Sequence, residues 1–202
     1  MSSSNPFATR FTRPGAIGYL FPPGQSAVGT LDLLRNNDWW GEIVGPHGSG
    51  KSSLLAELLP LLEATGRRVS VCSLHQGDRT LPISKADVAA WNADTQVVID
   101  GYEQLSWWSK RRLQASVKAR QAGLLVTAHQ PMGLPSLFTT KPTLDLARQI
   151  VARLLEGGMD GTEVPSYDDV AAAFAAHGAN LREMLFSLYD VYQRRQADAP
   201  EA

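Results

Sequence analysis

Short apolar runs alternate with longer amphipathic stretches over the first two thirds of the chain. Four runs have the length and apolar character of buried strands: "WGEIVG", "RRVSVCSL", "TQVVID" and "LLVTAHQ", with "SLFTTKP" a shorter candidate for a fifth. The stretches around them have a helical spacing of apolar residues: "SAVGTLDLLRNND", "KSSLLAELLPLLEATG", "SKADVAAWNAD" and "QLSWWSKRRLQASVKARQAG". This alternation predicts an α/β fold of three layers, in which a parallel sheet is covered by helices on both faces.

The pattern changes at Thr143, after which no further strand is predicted. The segments "TLDLARQIVARLLEG", "SYDDVAAAFAAHG" and "NLREMLFSLYDVYQRR" all have helical spacing. Apolar residues of the last segment form one stripe, which consists of Leu181, Met184, Leu185, Leu188 and Val191. We therefore expect an α/β core over 25–142 and a small helical subdomain over 143–196, with a flexible or irregular segment at 1–24 and a tail at 197–202.

The composition is that of a soluble globular protein. Of the 202 residues, 44% are hydrophobic and 19% are charged, and the net charge of −1 argues against a general binder of polyanions. The one cysteine, Cys72, lies in an apolar run and is expected in the core. The N-terminus lacks the apolar segment of a signal peptide, and the most apolar stretch, "SLLAELLPLLEA", is short and interrupted by Glu57, Pro60 and Glu63. We expect a cytoplasmic protein that does not cross a membrane.

A glycine-rich turn with the spacing of a phosphate-binding loop follows the first strand. "GPHGSGKSS" matches G-x-x-x-x-G-K-[ST] between an apolar strand and an amphipathic helix, the context that this chemistry requires. Glycines allow backbone N–H groups to turn inward around phosphate oxygens, and the helix that follows directs its positive end at the anion. Lys51 would reach the outer phosphates, Ser52 would ligate Mg²⁺, and His47 would be a spacer or touch phosphate. The candidate nucleotide-binding residues are Gly45, Pro46, His47, Gly48, Ser49, Gly50, Lys51, Ser52 and Ser53.

A carboxylate closes the third predicted strand, in "VVIDGYEQL". Asp100 is costly to bury unless it meets a cation, and Mg²⁺ shared with Ser52 meets that need. If a helix begins at Gly101, Glu103 or Gln104 returns to the same face and could orient an attacking water. An extended loop there would instead indicate a switch without a catalytic base, and Glu103 could simply complement a helix start.

The fourth strand ends in a second polar position. His129 could hydrogen-bond the attacking water or the phosphate, and Thr127 is the alternative. A histidine at the end of a strand could equally be an ordinary loop residue. The sequence therefore names His129 as a candidate catalytic residue together with Lys51 and Glu103.

These motifs resemble those of a known superfamily. "GPHGSGKSS" is similar to the Walker A motif of P-loop NTPases, "TQVVID" to the Walker B strand, and the polar end of "LLVTAHQ" to the sensor of the additional-strand division, known as ASCE. The resemblance covers the α/β core and implies ATP and Mg²⁺ as ligands. No LSGGQ-like signature separates Ser53 from Thr95, which argues against the ABC branch, and "HQPMGLPSLFTTKPT" lacks the arginines of a kinase lid.

The C-terminal part is most similar to the minimal helical lid of AAA+ ATPases. "GANLREM", Gly178–Met184, resembles the G-N-x-R-E sequence of that family, which implies that Arg182 is a second sensor reaching the γ-phosphate. The alternative is a solvated arginine paired with Glu183 or Asp190. The chain departs from the family in its displaced glutamate, Glu103, and in offering no arginine finger that can be assigned.

The expected function is that of a slow Mg-dependent ATPase acting as an AAA+-like switch. The alternatives are a nucleotide-dependent interaction module with negligible hydrolysis and a small-molecule P-loop kinase. A protein partner or further copies of the chain fit this function. Nucleic acid is a less favoured partner, because "SWWSKRRLQASVKAR" is more simply explained by one tryptophan in the core and a solvated basic face.

Overall fold

Five parallel strands form one sheet in the computed structural model, which describes residues 5–156 and 164–198. The strands are β1 (Trp40–Val44), β2 (Arg68–Ser73), β3 (Thr95–Asp100), β4 (Gly123–Ala128) and β5 (Ser136–Thr139). Their order across the sheet is β2-β3-β4-β1-β5, and every neighbouring pair is parallel. The strand before the phosphate-binding loop, β1, is therefore separated from β3, which ends in Asp100, by the additional strand β4.

The helices follow the amphipathic stretches of the sequence. They are α1 (Thr9–Thr12), α2 (Ala27–Asn36), α3 (Lys51–Ala64), α4 (Lys85–Ala90), α5 (Trp107–Ala119), α6 (Leu144–Leu155), α7 (Tyr167–His177) and α8 (Leu181–Asp198). Hydroxyl groups cap five of them by accepting a hydrogen bond from the first turn, and these belong to Ser26, Ser84, Ser106, Thr143 and Ser166. None of the described helices has the length and apolar character needed to cross a membrane.

The helix predicted from Gln104 onward is broken into two pieces. A 3₁₀ turn occupies Tyr102–Gln104, Leu105 is extended and buried, and α5 begins only after Ser106. The reason is local, because the Ser106 hydroxyl accepts from Ser109 N–H and so fixes a new helix start two residues past the turn. Both tryptophans at the start of α5 are exposed, so the prediction that one lies in the core is wrong.

The residues group into two compact units, which we call the sheet unit and the helical unit. The sheet unit comprises Phe21–Gly45 and Leu54–Thr140, and the helical unit comprises the described residues of Met1–Leu20, Pro46–Ser53 and Lys141–Ala202. In the sheet unit, side chains of β3 and β4 pack with Tyr102 and with Leu113 of α5 in a core from which water is excluded. Cys72 is buried in the same core, as predicted.

The helical unit has a core of its own. Apolar residues of α6, α7 and α8 bury one another, and Phe7 joins them with its ring edge-to-face against Tyr192, 6.4 Å between centroids. The buried stripe of α8 contains the four leading residues predicted for it but ends at Tyr192, while Val191 is only partly buried. A residue four positions after Leu188 completes the stripe because a helix turns once in 3.6 residues.

Candidate nucleotide-binding site

The loop between β1 and α3 has the backbone of a phosphate cradle. Gly48 and Gly50 have φ angles of 69° and 94°, which a residue with a side chain rarely adopts. The carbonyl oxygen of Pro46 accepts hydrogen bonds from Lys51 Nζ (2.8 Å) and from Ser49 Oγ (2.7 Å). Lys51 is the first residue of α3 and is largely buried, so its ammonium group is held across the mouth of the loop.

The first residues of α8 contact this loop. Leu181 N–H donates to the carbonyl oxygen of Gly48 at 3.1 Å, and the Asn180 side chain occupies the space that a Cβ on Gly48 would need. Arg182, exposed to solvent, is the next residue along the helix. The glycine-rich loop from Pro46 to Ser53 and the predicted "GANLREM" segment therefore belong to the same compact unit, the helical unit.

Two residues of this arrangement were not predicted. Asn180 fits closely against Gly48, and its only signal in the sequence was its place inside "GANLREM". Tyr19 lies on the other side of the loop, with a ring carbon 3.4 Å from where a Cβ on Gly50 would be. Burial raises the pKa of Tyr19 to about 12. No pattern in the irregular segment "AIGYLFPPG" distinguished Tyr19 from its neighbours.

In the sheet unit, Asp100 is oriented by the neighbouring strand. The fully buried Thr127 donates its hydroxyl hydrogen to Asp100 Oδ1 and accepts from Gly101 N–H at 2.9 Å. The sequence offered Thr127 as an alternative to His129 at the phosphate. The structure gives it a different position, as a hydrogen-bonding partner of the carboxylate that is the candidate Mg²⁺ ligand.

The turn after Asp100 is neither the helix nor the extended loop that the sequence analysis considered. Gly101 is left-handed, with φ 85°, and a Cβ there would lie 2.7 Å from the carbonyl oxygen of Leu74. Glycine is therefore required at this position. The chain then makes one 3₁₀ turn, which carries Glu103 and Gln104.

Glu103 and His129, predicted separately, are brought together. His129 Nε2 lies 3.3 Å from Glu103 Oε1, and the glutamate side chain is only 17% exposed. The second oxygen, Oε2, is buried and has no hydrogen-bond partner within the described part of the chain. Gln104 Nε2 is 3.5 Å from Oε1 and adds a weak contact on the side of His129. The two oxygens of Glu103 thus have different surroundings, one in contact with His129 and the other buried without a partner among the described residues.

A buried carboxylate anchors the segment that follows His129. Glu42, in the middle of β1, is 2% exposed, and its Oε2 accepts from the N–H groups of Met132 (2.8 Å) and Leu134 (3.4 Å). Sequence reasoning missed Glu42, although a charged residue inside the apolar run "WGEIVG" was a signal that a special partner exists. Its two hydrogen bonds fix the course of the chain three and five residues beyond His129.

No family model matches this sequence. A short segment is 35% identical over 75 residues to the energy-coupling factor transporter ATP-binding protein EcfA2 of Symbiobacterium thermophilum, covering 35% of this chain and 26% of that protein. The chain thus spans about a quarter of the length of that relative.

Solved structures share the fold over a larger part of the chain. NtrX of Brucella abortus, in complex with ADP, aligns with a TM-score of 0.60 at 9% identity, over 95% of this chain and 55% of its own. A variant of RuvB from Thermotoga maritima aligns with a TM-score of 0.51 at 12% identity, over 85% of this chain and 66% of its own. At these identities the likeness is one of fold.

Proposed function

We propose that the chain, whose fold is that of P-loop NTPases of the additional-strand division, binds ATP with Mg²⁺ and hydrolyses the nucleotide slowly as an AAA+-like molecular switch. The fold supports a general assignment to the P-loop ATPases. The choice of ATP, the hydrolysis and the switching are our inference from the positions of individual residues. The single observation that carries hydrolysis is the contact between Glu103 and His129.

The loop from Gly45 to Ser53 would hold the phosphates. Its glycines present backbone N–H groups, Lys51 supplies a positive charge, and α3 begins directly at the loop. The Ser52 hydroxyl and the Asp100 carboxylate are oxygen donors of the kind that Mg²⁺ prefers, so these residues fit the ion. When bound, Mg²⁺ neutralises charge that develops on the phosphate oxygens.

Glu103 is proposed as the group that orients and deprotonates the attacking water. Its Oε2 is buried without a partner, while Oε1 is held by His129, so the carboxylate has one fixed and one available oxygen. The water would attack the γ-phosphorus, its proton would pass to Oε2, and the bond between the γ-phosphorus and the bridging oxygen would break to leave ADP. His129 acts here as a positioning residue.

The switching part of the proposal concerns α8. Its first residue, Leu181, is bonded to the loop that would bind phosphate, and Arg182 follows immediately. A nucleotide that changes the conformation of Gly48 would act directly on the start of α8. We propose that Arg182 senses the γ-phosphate and that this contact makes the position of α8 depend on which nucleotide is bound.

Single-turnover hydrolysis of ATP tests the proposal. We expect Glu103→Gln to slow phosphate release by about 10²–10⁴-fold with little change in ATP affinity, and Lys51→Ala to weaken ATP binding itself. His129→Ala should slow release without weakening binding. Glu63→Gln, which changes an exposed glutamate near the end of α3, is the matched control and should behave like wild type.

Two results would favour the alternatives. Equal, background-level phosphate release from wild type, Lys51→Ala and Glu103→Gln would contradict hydrolysis and leave a nucleotide-dependent interaction module. Transfer of the γ-phosphoryl group to an added small-molecule acceptor, in place of water, would identify a kinase.

A further inference from the structure

Two adjacent indoles are exposed at the start of α5. Trp107 is 59% and Trp108 75% exposed, and the rings pack edge-to-face with centroids 4.4 Å apart. Exposed indole is costly in water, and a pair of contiguous exposed tryptophans is a feature of binding surfaces rather than of ordinary solvated helices.

Three exposed arginines belong to α5 or to the segment bonded to its start. The guanidinium of Arg111 lies 5.4 Å from the centroid of the Trp107 ring, and Arg112 is exposed one turn after Trp108. The third is Arg79, an exposed residue of a different segment. Its carbonyl oxygen accepts from Ser106 N–H (3.1 Å) and Ser109 Oγ (2.9 Å), so its backbone is bonded to the start of the helix that carries the tryptophans. We call Trp107, Trp108, Arg79, Arg111 and Arg112 the Trp–Arg surface.

No carboxylate neutralises these arginines within the described part of the chain. None of the three forms an ion pair with an acidic side chain, and α5 contains no aspartate or glutamate. The acidic residues Asp78 and Asp87 in the preceding segments are bound locally, to His75 N–H and to Ser84 respectively. A chain with a net charge of −1 thus has a local surface that is both cationic and aromatic.

We propose that the Trp–Arg surface binds single-stranded nucleic acid. Each nucleotide supplies an anion for a guanidinium group and a flat base that can stack on an indole, so one ligand satisfies both features of the surface. An acidic peptide would pair with the arginines but leave the exposed ring of Trp108 without a stacking partner. A duplex would satisfy the charges only, because its base faces are already stacked. The proposal is independent of ATP hydrolysis.

Fluorescence anisotropy of a labelled oligothymidylate tests whether the Trp–Arg surface binds single-stranded nucleic acid. A length of about 20 nucleotides is sufficient, because one such site covers roughly 4–16 nucleotides. We expect Trp108→Ala to weaken binding by about 5- to 150-fold, the equivalent of one lost base–aromatic stack. Arg111→Ala with Arg112→Ala should weaken binding and also flatten its dependence on salt concentration. Thermal unfolding of each variant checks that the fold is retained.

Tyr167→Ala is the matched control. Tyr167 is also 75% exposed, and Arg148 lies 5.9 Å from its ring centroid, but it is on α7. Its loss should change the oligonucleotide affinity less than twofold. Unlabelled polyglutamate and a duplex of the same length serve as competitors, and both should compete poorly.

Three outcomes would overturn the proposal: no binding of the oligonucleotide, equal loss of affinity in Trp108→Ala and Tyr167→Ala, or competition by polyglutamate as strong as that by the oligonucleotide itself. Self-association of the wild type that Trp108→Ala abolishes, with oligonucleotide affinity unchanged, would also overturn it and assign the surface to a second copy of the chain.

Discussion

Leu181 donates its backbone N–H to the carbonyl oxygen of Gly48 at 3.1 Å. The first N–H groups of a helix have no partner within the helix, and here one of them is satisfied by the glycine-rich loop. The carbonyl oxygen of Gly48 is thus bonded to the start of α8. The start of α8 and the candidate phosphate site are therefore parts of one hydrogen-bonded arrangement.

Gly48→Ala tests this arrangement. The new methyl group would need both a left-handed backbone, with φ 69°, and the space that the Asn180 side chain occupies. We expect the free energy of unfolding to fall by more than the roughly 1–2 kcal/mol that a left-handed alanine costs by itself, and ADP binding to weaken strongly. Thermal unfolding and calorimetric titration with ADP measure the two effects.

Gly66→Ala supplies the matched control for this experiment. Its φ of 83° imposes a similar backbone strain, but nothing lies within 4 Å of the added Cβ. Equal losses of stability in the two variants would show that the contact with Asn180 contributes nothing.

Thr127→Val removes the hydroxyl group that connects Asp100 to Gly101. The change preserves shape but leaves the Gly101 N–H without its acceptor, which costs about 1–3 kcal/mol in a buried position. We expect a lower free energy of unfolding in urea and a higher Mg²⁺ concentration for half-maximal phosphate release. Thr127→Ser keeps the hydroxyl and should retain most of both properties. A normal Mg²⁺ requirement in Thr127→Val would mean that Asp100 does not depend on Thr127.

Glu42 should prove necessary for the segment after His129. Glu42→Ala leaves the N–H groups of Met132 and Leu134 without an acceptor, so we expect a loss of about 2–4 kcal/mol in the free energy of unfolding. Phosphate release should slow as well, because the chain beyond His129 loses its anchor. Glu42→Gln retains one acceptor oxygen and should be affected less. The prediction is wrong if the alanine and glutamine variants unfold at the same urea concentration.

Acid should selectively destabilise α7 and α8 through Asp169. Burial by itself would raise the pKa of Asp169, but hydrogen bonds from Ser166 and the charge of Arg195, 2.8 Å away, outweigh it and lower the pKa. A lowered pKa in the folded state means that the stabilisation is present above the ordinary aspartate pKa of about 4 and is lost as the pH falls below it.

Asp169→Asn should remove this part of the acid dependence and cost about 1 kcal/mol at neutral pH. Urea unfolding at a series of pH values measures both quantities. Asp168→Asn changes the exposed neighbour in the same helical turn and should leave the acid dependence intact. Parallel pH curves for wild type and Asp169→Asn would contradict the assignment to Asp169.

The local pattern was sufficient for most elements of the fold. The spacing of apolar residues placed most strands and helices correctly, because hydrophobic periodicity acts over a few residues. The exception is the segment after Asp100. There the Ser106 hydroxyl begins a new helix after a 3₁₀ turn, and the predicted continuous helix overlooked this local cap.

The sequence by itself singled out the residues proposed to carry the chemistry, because the glycine-rich spacing around Lys51 and the carboxylate of Asp100 lie in short contiguous motifs. Only the tertiary structure decided which side chains lie in contact with one another. The pairing of β3 with β4 places Thr127 next to Asp100 and His129 next to Glu103. Gly48 is hydrogen-bonded to Leu181, which follows it by more than a hundred residues. Such partnerships depend on the register of strands and on the packing of a distant helix, and no local pattern encodes either.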